Sequence, residues 1–231
     1  MEQLLDNPVF SALCTGDKHL SSGTDKAKYF DESISPFAGF PQNYSDGFQD
    51  LYTLLPAGRV ILYATPNLLP EASGWQVLHA IEGLQFIWEK SHNTTENSTT
   101  PVPLDETHVD QMIELASLTK PGPFAKRTID FGHYYGFFEG TKLFAMTGQR
   151  LHIQNFTEIS AVCTHPSHLG KGYAQALVQH QIKLITSEGQ TPFLHVRKDN
   201  LRAIALYERL GFKVRTAMNF YVLKRKADDS I

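Results

Sequence analysis

The sequence predicts a mixed α/β fold in which helices flank a central β-sheet and a smaller α/β region comes first. Three observations support this prediction. From residue 101 onward, short apolar runs alternate with segments of helical periodicity. A polar segment without apolar residues separates this part from the first 90 residues. A turn with two glycines joins a buried strand to an amphipathic helix, an arrangement that α/β proteins use to bind ligands.

The first 90 residues form the smaller region and carry no obvious chemical motif. Their apolar pattern predicts two helices and three strands. The helices are at 9–15 and 48–55, and the strands are at 59–64, 75–80 and 84–88. The last two strands are separated in this prediction because Glu82-Gly83 is a turn signal.

Residues 91–100 are predicted to be a linker. Their sequence is Ser-His-Asn-Thr-Thr-Glu-Asn-Ser-Thr-Thr, which has no side chain that could contribute to an apolar core. The chain therefore divides into an N-terminal region at 1–90 and a domain at 101–231.

The domain at 101–231 has the predicted order β-α-β-β-β-α-β-α-β-β. Asp105 or Thr107 caps the first helix, and Pro121 and Pro123 begin an irregular loop that extends to residue 132. The other predicted elements are strands at 101–104, 134–139, 142–151, 156–164, 193–196, 213–215 and 220–223 and helices from 174 to about 187 and from 200 to 210.

The turn after the strand at 158–164 is the most informative stretch. Its sequence is Leu169-Gly170-Lys171-Gly172-Tyr173-Ala174, and an amphipathic helix follows. Glycines allow the backbone to fold tightly, and a helix N-terminus presents free N–H groups and a positive dipole end to an anion. The turn is therefore a candidate pyrophosphate site, although Gly-Lys-Gly also occurs in ordinary tight turns.

The second half of the domain strengthens this interpretation. Residues 200–212 have the sequence Asn-Leu-Arg-Ala-Ile-Ala-Leu-Tyr-Glu-Arg-Leu-Gly-Phe. This segment matches the pattern Asn-x-x-Ala-x-x-Leu-Tyr-x-x-x-Gly-Phe, and the chain thereby resembles the GNAT superfamily of acyl-CoA N-acyltransferases. The family's turn pattern, Gln/Arg-x-x-Gly-x-Gly/Ala, is matched at Gly172 and Ala174. Leu169 stands where the family usually has Gln or Arg, which removes a polar side chain but leaves the backbone donors.

The resemblance implies acetyl-CoA as the acyl donor and a sheet whose fourth and fifth strands splay apart to admit the pantetheine arm. It leaves open whether the region at 1–90 is a degenerate acyltransferase-like half. The implied cofactor contacts are Val162, Cys163, Thr164, Leu169, Gly170, Lys171, Gly172, Tyr173, Ala174, Asn200, Ala203 and Tyr207. Contacts along the strand are expected mainly through the backbone, where the N–H near Val162 could stabilise an oxyanion.

An amine must lose a proton before it attacks a thioester, because an ammonium group is not nucleophilic. Glu158 matches the position of the general base in some members of the superfamily. Burial near the sheet centre would raise its pKa toward neutrality, as a base requires. Two alternatives remain open: Glu158 is solvated or paired with Arg150, or His195 is the base. A hydrogen-bonded core histidine is the simpler interpretation of His195.

The departing thiolate needs a proton, and Tyr207 matches the general-acid tyrosine of the superfamily. The alternative is an aromatic residue that packs the core from the same helix face as Ala203 and Leu210. Cys163 could suggest a covalent acyl-enzyme, but a lone strand cysteine is more often a small core residue. Phe124, in the loop that covers the acceptor pocket in the superfamily, and His195 are candidate substrate contacts. Phe124 could equally plug the core beneath that loop.

Composition excludes several classes of function. The formal net charge is −3, whereas nucleic-acid binders are usually basic. No apolar run is long enough to span a bilayer, and the first residues lack the features of a signal peptide. The two cysteines and the scattered histidines predict neither a disulfide framework nor a metal site. We expect a cytoplasmic monomer or homodimer that binds neither membrane nor nucleic acid.

The sequence thus predicts an N-acetyltransferase that moves an acetyl group from acetyl-CoA to the primary amine of a small molecule or peptide. Direct attack within a ternary complex is the expected route. A non-catalytic acyl-CoA-binding module is the main alternative, and Leu169 keeps it open. A nucleotide-binding domain would need a longer glycine pattern, such as Gly-x-Gly-x-x-Gly, that the chain does not clearly show.

Overall fold

The computed structural model describes residues 2–89 and 100–227. It contains an eight-stranded sheet, a small three-stranded sheet and five α-helices. The α-helices are α1 (Pro8–Cys14), α2 (Gly47–Leu54), α3 (Val109–Thr119), α4 (Tyr173–Ser187) and α5 (Leu201–Arg209). The strands are β1 (Ser21–Gly23), β2 (Lys28–Phe30), β3 (Ala38–Gly39), β4 (Val60–Thr65), β5 (Trp75–Trp88), β6 (Val102–Pro103), β7 (Tyr135–Glu139), β8 (Lys142–Ile153), β9 (Phe156–Thr164), β10 (Thr191–Arg197) and β11 (Phe212–Arg225). Short 3-10 helices occur at Glu2–Asp6, Lys18–Leu20, Glu106–His108, Thr128–Phe131 and Pro166–His168.

The large sheet has the order β4-β11-β5-β10-β9-β8-β7-β6. Strands β9 and β10 are parallel, and the other neighbours in this sheet are antiparallel. The predicted mixed sheet with flanking helices is therefore confirmed. The connection from β9 to β10 through α4 is the parallel crossover that requires a helix.

Both sides of the predicted linker contribute to this sheet, since β4 and β5 precede it and the other strands follow it. The largest apolar core is shared in the same way. It includes Leu5, Val9 and Leu13 from the start of the chain and Met112 and Leu115 from α3. Except for Thr100, the linker itself lies outside the described residues.

The two strands predicted at 75–80 and 84–88 are one strand, β5. The turn prediction at Glu82-Gly83 was wrong because Gly83 serves close packing and not a turn. A Cβ at Gly83 would lie 2.8 Å from the Phe220 ring and 3.0 Å from the Val196 carbonyl oxygen. Glycine in a strand interior often marks such a close approach.

The two closing strands predicted at 213–215 and 220–223 are also one strand, β11. A β-bulge between Val214 and Thr216 leaves Arg215 outside the regular pairing with β5. Such a bulge bends a strand without ending it. In the sheet, β5 thus lies between β10 and this one long strand, whereas the sequence predicted two shorter strands.

The helix caps follow the sequence signals. The Asp105 carboxylate accepts a hydrogen bond from the backbone N–H of Thr107, and the backbone N–H of Asp105 donates to His108. The Asn200 side chain accepts from the backbone N–H of Ala203 at the start of α5. Among the described residues, no helix is both long and apolar enough to cross a membrane.

Gly148→Ala tests the packing of β8 against the first residues of the hairpin. A Cβ at Gly148 would lie 2.2 Å from the Tyr134 ring, which is buried. We expect a loss of about 3 kcal/mol in unfolding free energy, measured by urea denaturation. Gly140→Ala is the matched control, because a Cβ there meets no atom within 4 Å and only the positive φ of 60° is unfavourable. Its expected loss is about 1 kcal/mol, and equal losses in both variants would contradict the close contact.

Candidate active site

A gap opens in the large sheet between β9 and β10. Their parallel pairing consists of Thr191 with Phe156, Pro192 with Thr157, and Phe193 with Glu158. Both strands continue beyond the last pair, to Thr164 and Arg197, without pairing with each other. Residues 159–164 of β9 therefore border an opening in the sheet, as the splayed strands of the prediction require.

A β-bulge lies in the part of β9 that borders the gap. The pairing with β8 shifts between Met146–Cys163 and Gly148–Ser160, so β9 carries one extra residue there. Ala161 within this bulge has a positive φ of 51°, a conformation that costs a residue with a side chain of the order of 1 kcal/mol. Bulges next to active sites redirect backbone and side-chain groups, and this one faces the gap.

The gap leads into a cavity of about 610 Å³. Most of the predicted site residues line it: Val162, Cys163, Thr164, Leu169, Gly170, Gly172, Tyr173, Ala174, His195, Asn200, Ala203 and Tyr207. Three predicted site residues do not line it, namely Glu158, Lys171 and Phe124. The strand, the glycine turn and the start of α5 thus meet around one space, although they are up to 50 residues apart in the sequence.

The glycine turn has the conformation that only glycine adopts at low cost. Gly170 and Gly172 have φ values of 80° and 86°, and Gly172 is the N-cap residue of α4 without a side-chain cap bond. A Cβ at either position would meet no atom within 4 Å, so the space beside them is open. The first N–H groups of α4 are thus presented as an anion site would require. Leu169 is half-exposed beside them.

Glu158 is fully buried at the start of β9 and is held by two neighbours. Arg150 donates from Nε to Oε2 at 2.8 Å and from Nη2 to Oε1 at 3.0 Å. His195 Nδ1 lies 2.8 Å from Oε1. Burial alone would raise the pKa of Glu158, but Arg150 and then His195 outweigh it and hold this pKa below its ordinary value. The expectation of a raised pKa was therefore wrong, because it left out the partners of the carboxylate.

His195 is tied on both ring nitrogens. Its Nδ1 lies at Glu158, and its Nε2 lies 3.0 Å from Nε2 of Gln85, which also donates to the Leu5 carbonyl. Since an amide nitrogen can only donate, His195 Nε2 accepts this bond and Nδ1 carries the proton. Gln85 Oε1 in turn accepts from Arg215. This chain of hydrogen bonds matches the simpler interpretation of His195, although the ring also reaches the cavity wall.

Tyr207 is buried between Phe86 and Phe212, and it lines the cavity. Burial raises the pKa of its hydroxyl, so the phenol stays protonated at neutral pH. Burial also raises the pKa of the Cys163 thiol to about 12. Cys163 is thus a thiol and not a thiolate at neutral pH, which disfavours a role as nucleophile.

Phe124 packs against the edge of the Tyr134 ring, with ring centroids 5.8 Å apart. It also contacts the main apolar core. The described residues therefore place Phe124 beneath its loop, while the cavity is bordered further along by Lys120 and Pro121.

Sequence reasoning missed four charged residues that line the cavity. They are Lys120, Arg197, Arg202 and Arg209. Their common feature is position, since each lies at or next to an end of a helix or strand. The alternative in which Glu158 pairs with Arg150 is confirmed, and Arg150 also lines the cavity.

Comparisons with known proteins agree with this geometry. Residues 134–221 match the FR47-like protein family. A structure from Novosphingobium aromaticivorans, described as a candidate acetyltransferase of the GNAT family, is 32% identical with a TM-score of 0.88. The match covers 96% of this chain and 99% of the other. The chain therefore belongs to the GNAT family.

More distant structures share the fold. A GCN5-related N-acetyltransferase from Kribbella flavida has a TM-score of 0.65 at 13% identity, over 97% of this chain and 96% of its own. A GNAT-family acetyltransferase from Colwellia psychrerythraea has a TM-score of 0.54 at 15% identity, over 86% and 80% of the two chains. A comparison with curated protein sequences gave no match.

Glu158→Gln tests the buried ion pair. The change leaves Arg150 without its counter-ion, and we expect a loss of about 3 to 5 kcal/mol in unfolding free energy at pH 7. Because the pKa of Glu158 is lowered on folding, its ionised form stabilises the fold above the ordinary value of 4.5. This contribution is lost as the pH falls from about 4.5 toward about 2.

Urea denaturation of both proteins between pH 7 and pH 3 measures this effect. The gap in stability between wild type and Glu158→Gln should narrow as the pH falls through this window. A constant gap would contradict the lowered pKa of Glu158 in the folded protein.

Proposed function

We propose that this protein is an N-acetyltransferase that moves the acetyl group of acetyl-CoA to a primary amine by direct attack. One observation supports this most strongly: the opening between β9 and β10, the glycine turn and Tyr207 border the same cavity. An acyl carrier needs an anion site for its charged end, an opening for its extended arm and a proton donor near its thioester, and the glycine turn, the opening and Tyr207 supply these in turn.

The glycine turn and α4 suit the diphosphate of coenzyme A. The open space at Gly170 and Gly172 admits the phosphates, and the helix N-terminus offers N–H donors. Arg202 and Arg209 border the same cavity from α5 and add positive charge, and Arg197 borders it from β10 while paired with Asp199. The backbone donors and these arginines thereby compensate for the polar side chain that the family usually has in place of Leu169.

The edge of β9 suits the pantetheine arm. Its residues beyond Glu158 do not pair with β10, so their backbone groups can bind an extended ligand as a neighbouring strand would. The Thr164 hydroxyl supports this assignment. It is buried at the cavity and has no hydrogen-bond partner within the described part of the chain. Buried polar groups are rarely left unpaired, so a ligand bond is the simplest explanation.

The proposed reaction needs few groups. The amine nitrogen attacks the thioester carbonyl carbon, and the backbone near the β9 bulge stabilises the oxyanion. The carbon–sulfur bond breaks as Tyr207 gives its proton to the departing sulfur, and the protonated phenol is restored from the amine proton through water. Glu158 binds Arg150 and His195 and does not line the cavity, so we assign it to positioning these two residues.

A non-catalytic acyl-CoA-binding module is the second candidate, because it needs the same cavity but no acid. Release of free thiol from acetyl-CoA, followed with a panel of amines, separates the two functions. An N-acetyltransferase releases thiol in proportion to the amine consumed. A binding module binds acetyl-CoA and releases none above the rate of hydrolysis.

Tyr207→Phe tests the general acid. We expect turnover to fall by about 100-fold or more, because the thiolate then leaves without a proton. The affinity for acetyl-CoA should change little, since the ring and its packing against Phe86 and Phe212 are kept. Tyr63→Phe is the matched control: Tyr63 is also buried and its pKa is raised to about 12 by burial, but it lies away from the cavity. Unchanged turnover in Tyr207→Phe would remove this residue from the mechanism.

Thr164→Val tests the pantetheine site. The replacement keeps the shape and removes a hydroxyl that has no partner in the described protein. We expect unchanged or higher stability and an acetyl-CoA affinity that is about 3- to 10-fold weaker, as the loss of one hydrogen bond predicts. Calorimetry and urea denaturation measure the two effects. In the control Thr147→Val, the lost hydroxyl donates to the Ser160 carbonyl, so stability should fall. Full affinity in Thr164→Val would exclude a ligand bond at this hydroxyl.

A further inference from the structure

The charge of the cavity is one-sided. Among the described residues that line it there are five lysines and arginines and no aspartate or glutamate. The diphosphate of coenzyme A accounts for positive charge near the glycine turn. It does not account for positive charge at the other end of the opening.

Arg150 lies at that other end. It pairs across the sheet with Glu158, at the start of β9, whereas the glycine turn follows Thr164 at its end. Six residues of strand separate these two positions, which corresponds to roughly 20 Å. The amine acceptor must reach the thioester from the side that the cofactor leaves open, and Arg150 borders that side.

The Arg150 side chain is held rigidly. Its Nε and Nη2 donate to Glu158, its guanidinium lies over the Phe37 ring at 5.0 Å, and Nη1 lies beside Gly122. The two bonds to Glu158 use two of the five N–H groups of the guanidinium. Since the side chain also lines the cavity, it can offer N–H donors to a ligand without losing its own freedom on binding.

The charge of Arg150 is offset by the Glu158 carboxylate, so the net positive charge at this end of the cavity comes from Lys120. Lys120 ends α3 in a left-handed conformation with φ 50°, next to Thr119, which lines the same cavity as Cys163. Lys120 is therefore placed between the middle of β9 and the loop at Gly122 that covers Arg150. In the described part of the chain its ammonium group forms no ion pair, and it lines the cavity.

We propose that the acceptor is a small primary amine that also carries a carboxylate, as a free amino acid does, and that Lys120 and Arg150 bind this carboxylate. Arg150 donates hydrogen bonds to the carboxylate of the acceptor, and Lys120 attracts that carboxylate electrostatically. A polyamine or a lysine-rich peptide would bring further cations to a cavity whose described lining residues include no carboxylate to pair with them. This inference rests on the proposed acetyl transfer to an amine.

Matched pairs of amines test the inference. Thiol release from saturating acetyl-CoA is measured with amino acids, with the amides of the same amino acids, with spermidine and with a lysine-rich peptide. Rates are compared at equal concentrations of unprotonated amine. We expect kcat/KM to be at least 10-fold higher for an amino acid than for its amide, mainly through KM.

Lys120→Asn shows whether this residue carries the preference. Asparagine tolerates the left-handed backbone, so the fold should be kept. The variant should lose about 10-fold in kcat/KM for the amino acid and little for the amide, so the ratio between them collapses. Lys126→Asn is the matched control, because Lys126 is an exposed residue of the same loop that does not line the cavity.

Arg150→Lys is the second variant. It keeps the positive charge beside Glu158 but loses the planar pair of donors, and the KM for the amino acid should rise while that for the amide does not.

Two results have distinct meanings. Equal or better use of the amide, spermidine or the peptide, or an unchanged ratio in Lys120→Asn, would overturn this inference and leave acetyl transfer intact. Absence of thiol release with every amine would overturn the proposed function, and the inference with it.

Discussion

The centre of the molecule depends on a buried carboxylate. Glu158 has no exposed surface, and a buried charge is tolerated only when it is paired and hydrogen-bonded. Its partners, Arg150 and His195, come from the strands on either side, so the pair fixes the side chains of three neighbouring strands. Through Gln85 and Arg215 the same hydrogen bonds extend to β5 and β11 and to the first residues of the chain.

This carboxylate also sits where the sheet divides. The last backbone pair between β9 and β10 joins Glu158 to Phe193, and the strands part beyond it. The bond from His195 to Glu158 joins the same two strands through side chains just past that point. Where the gap begins, the side-chain bond between His195 and Glu158 thus takes the place of backbone hydrogen bonds between β9 and β10. The opening therefore begins directly after this pair, while the paired parts of the two strands remain a continuous sheet.

Local signals in the sequence were enough for most of the fold. The caps at Asp105 and Asn200 and the glycine turn each depend on residues within a few positions, and their geometry matches the prediction. What the sequence could not predict depends on neighbours distant in the chain. Gly83 could mark a turn or a close contact, and only the Phe220 ring decides between them. The pKa of Glu158 is the balance of burial against its partners, so its direction required the register of the strands.

The two ends of the cavity are built from different parts of the chain. Only one of them lies wholly within the segment that matches the family. The gap, the glycine turn and Tyr207 all lie within residues 134–221, the segment that matches the FR47-like family. The end proposed for the acceptor also includes Lys120 and the Phe37 ring beneath Arg150, which lie outside that segment. The N-terminal region contacts the same loop again where the Thr128 hydroxyl donates to the Ile34 carbonyl. The segment shared with the family therefore carries only part of the cavity wall, and the residues proposed to select the acceptor include Lys120, which lies outside it.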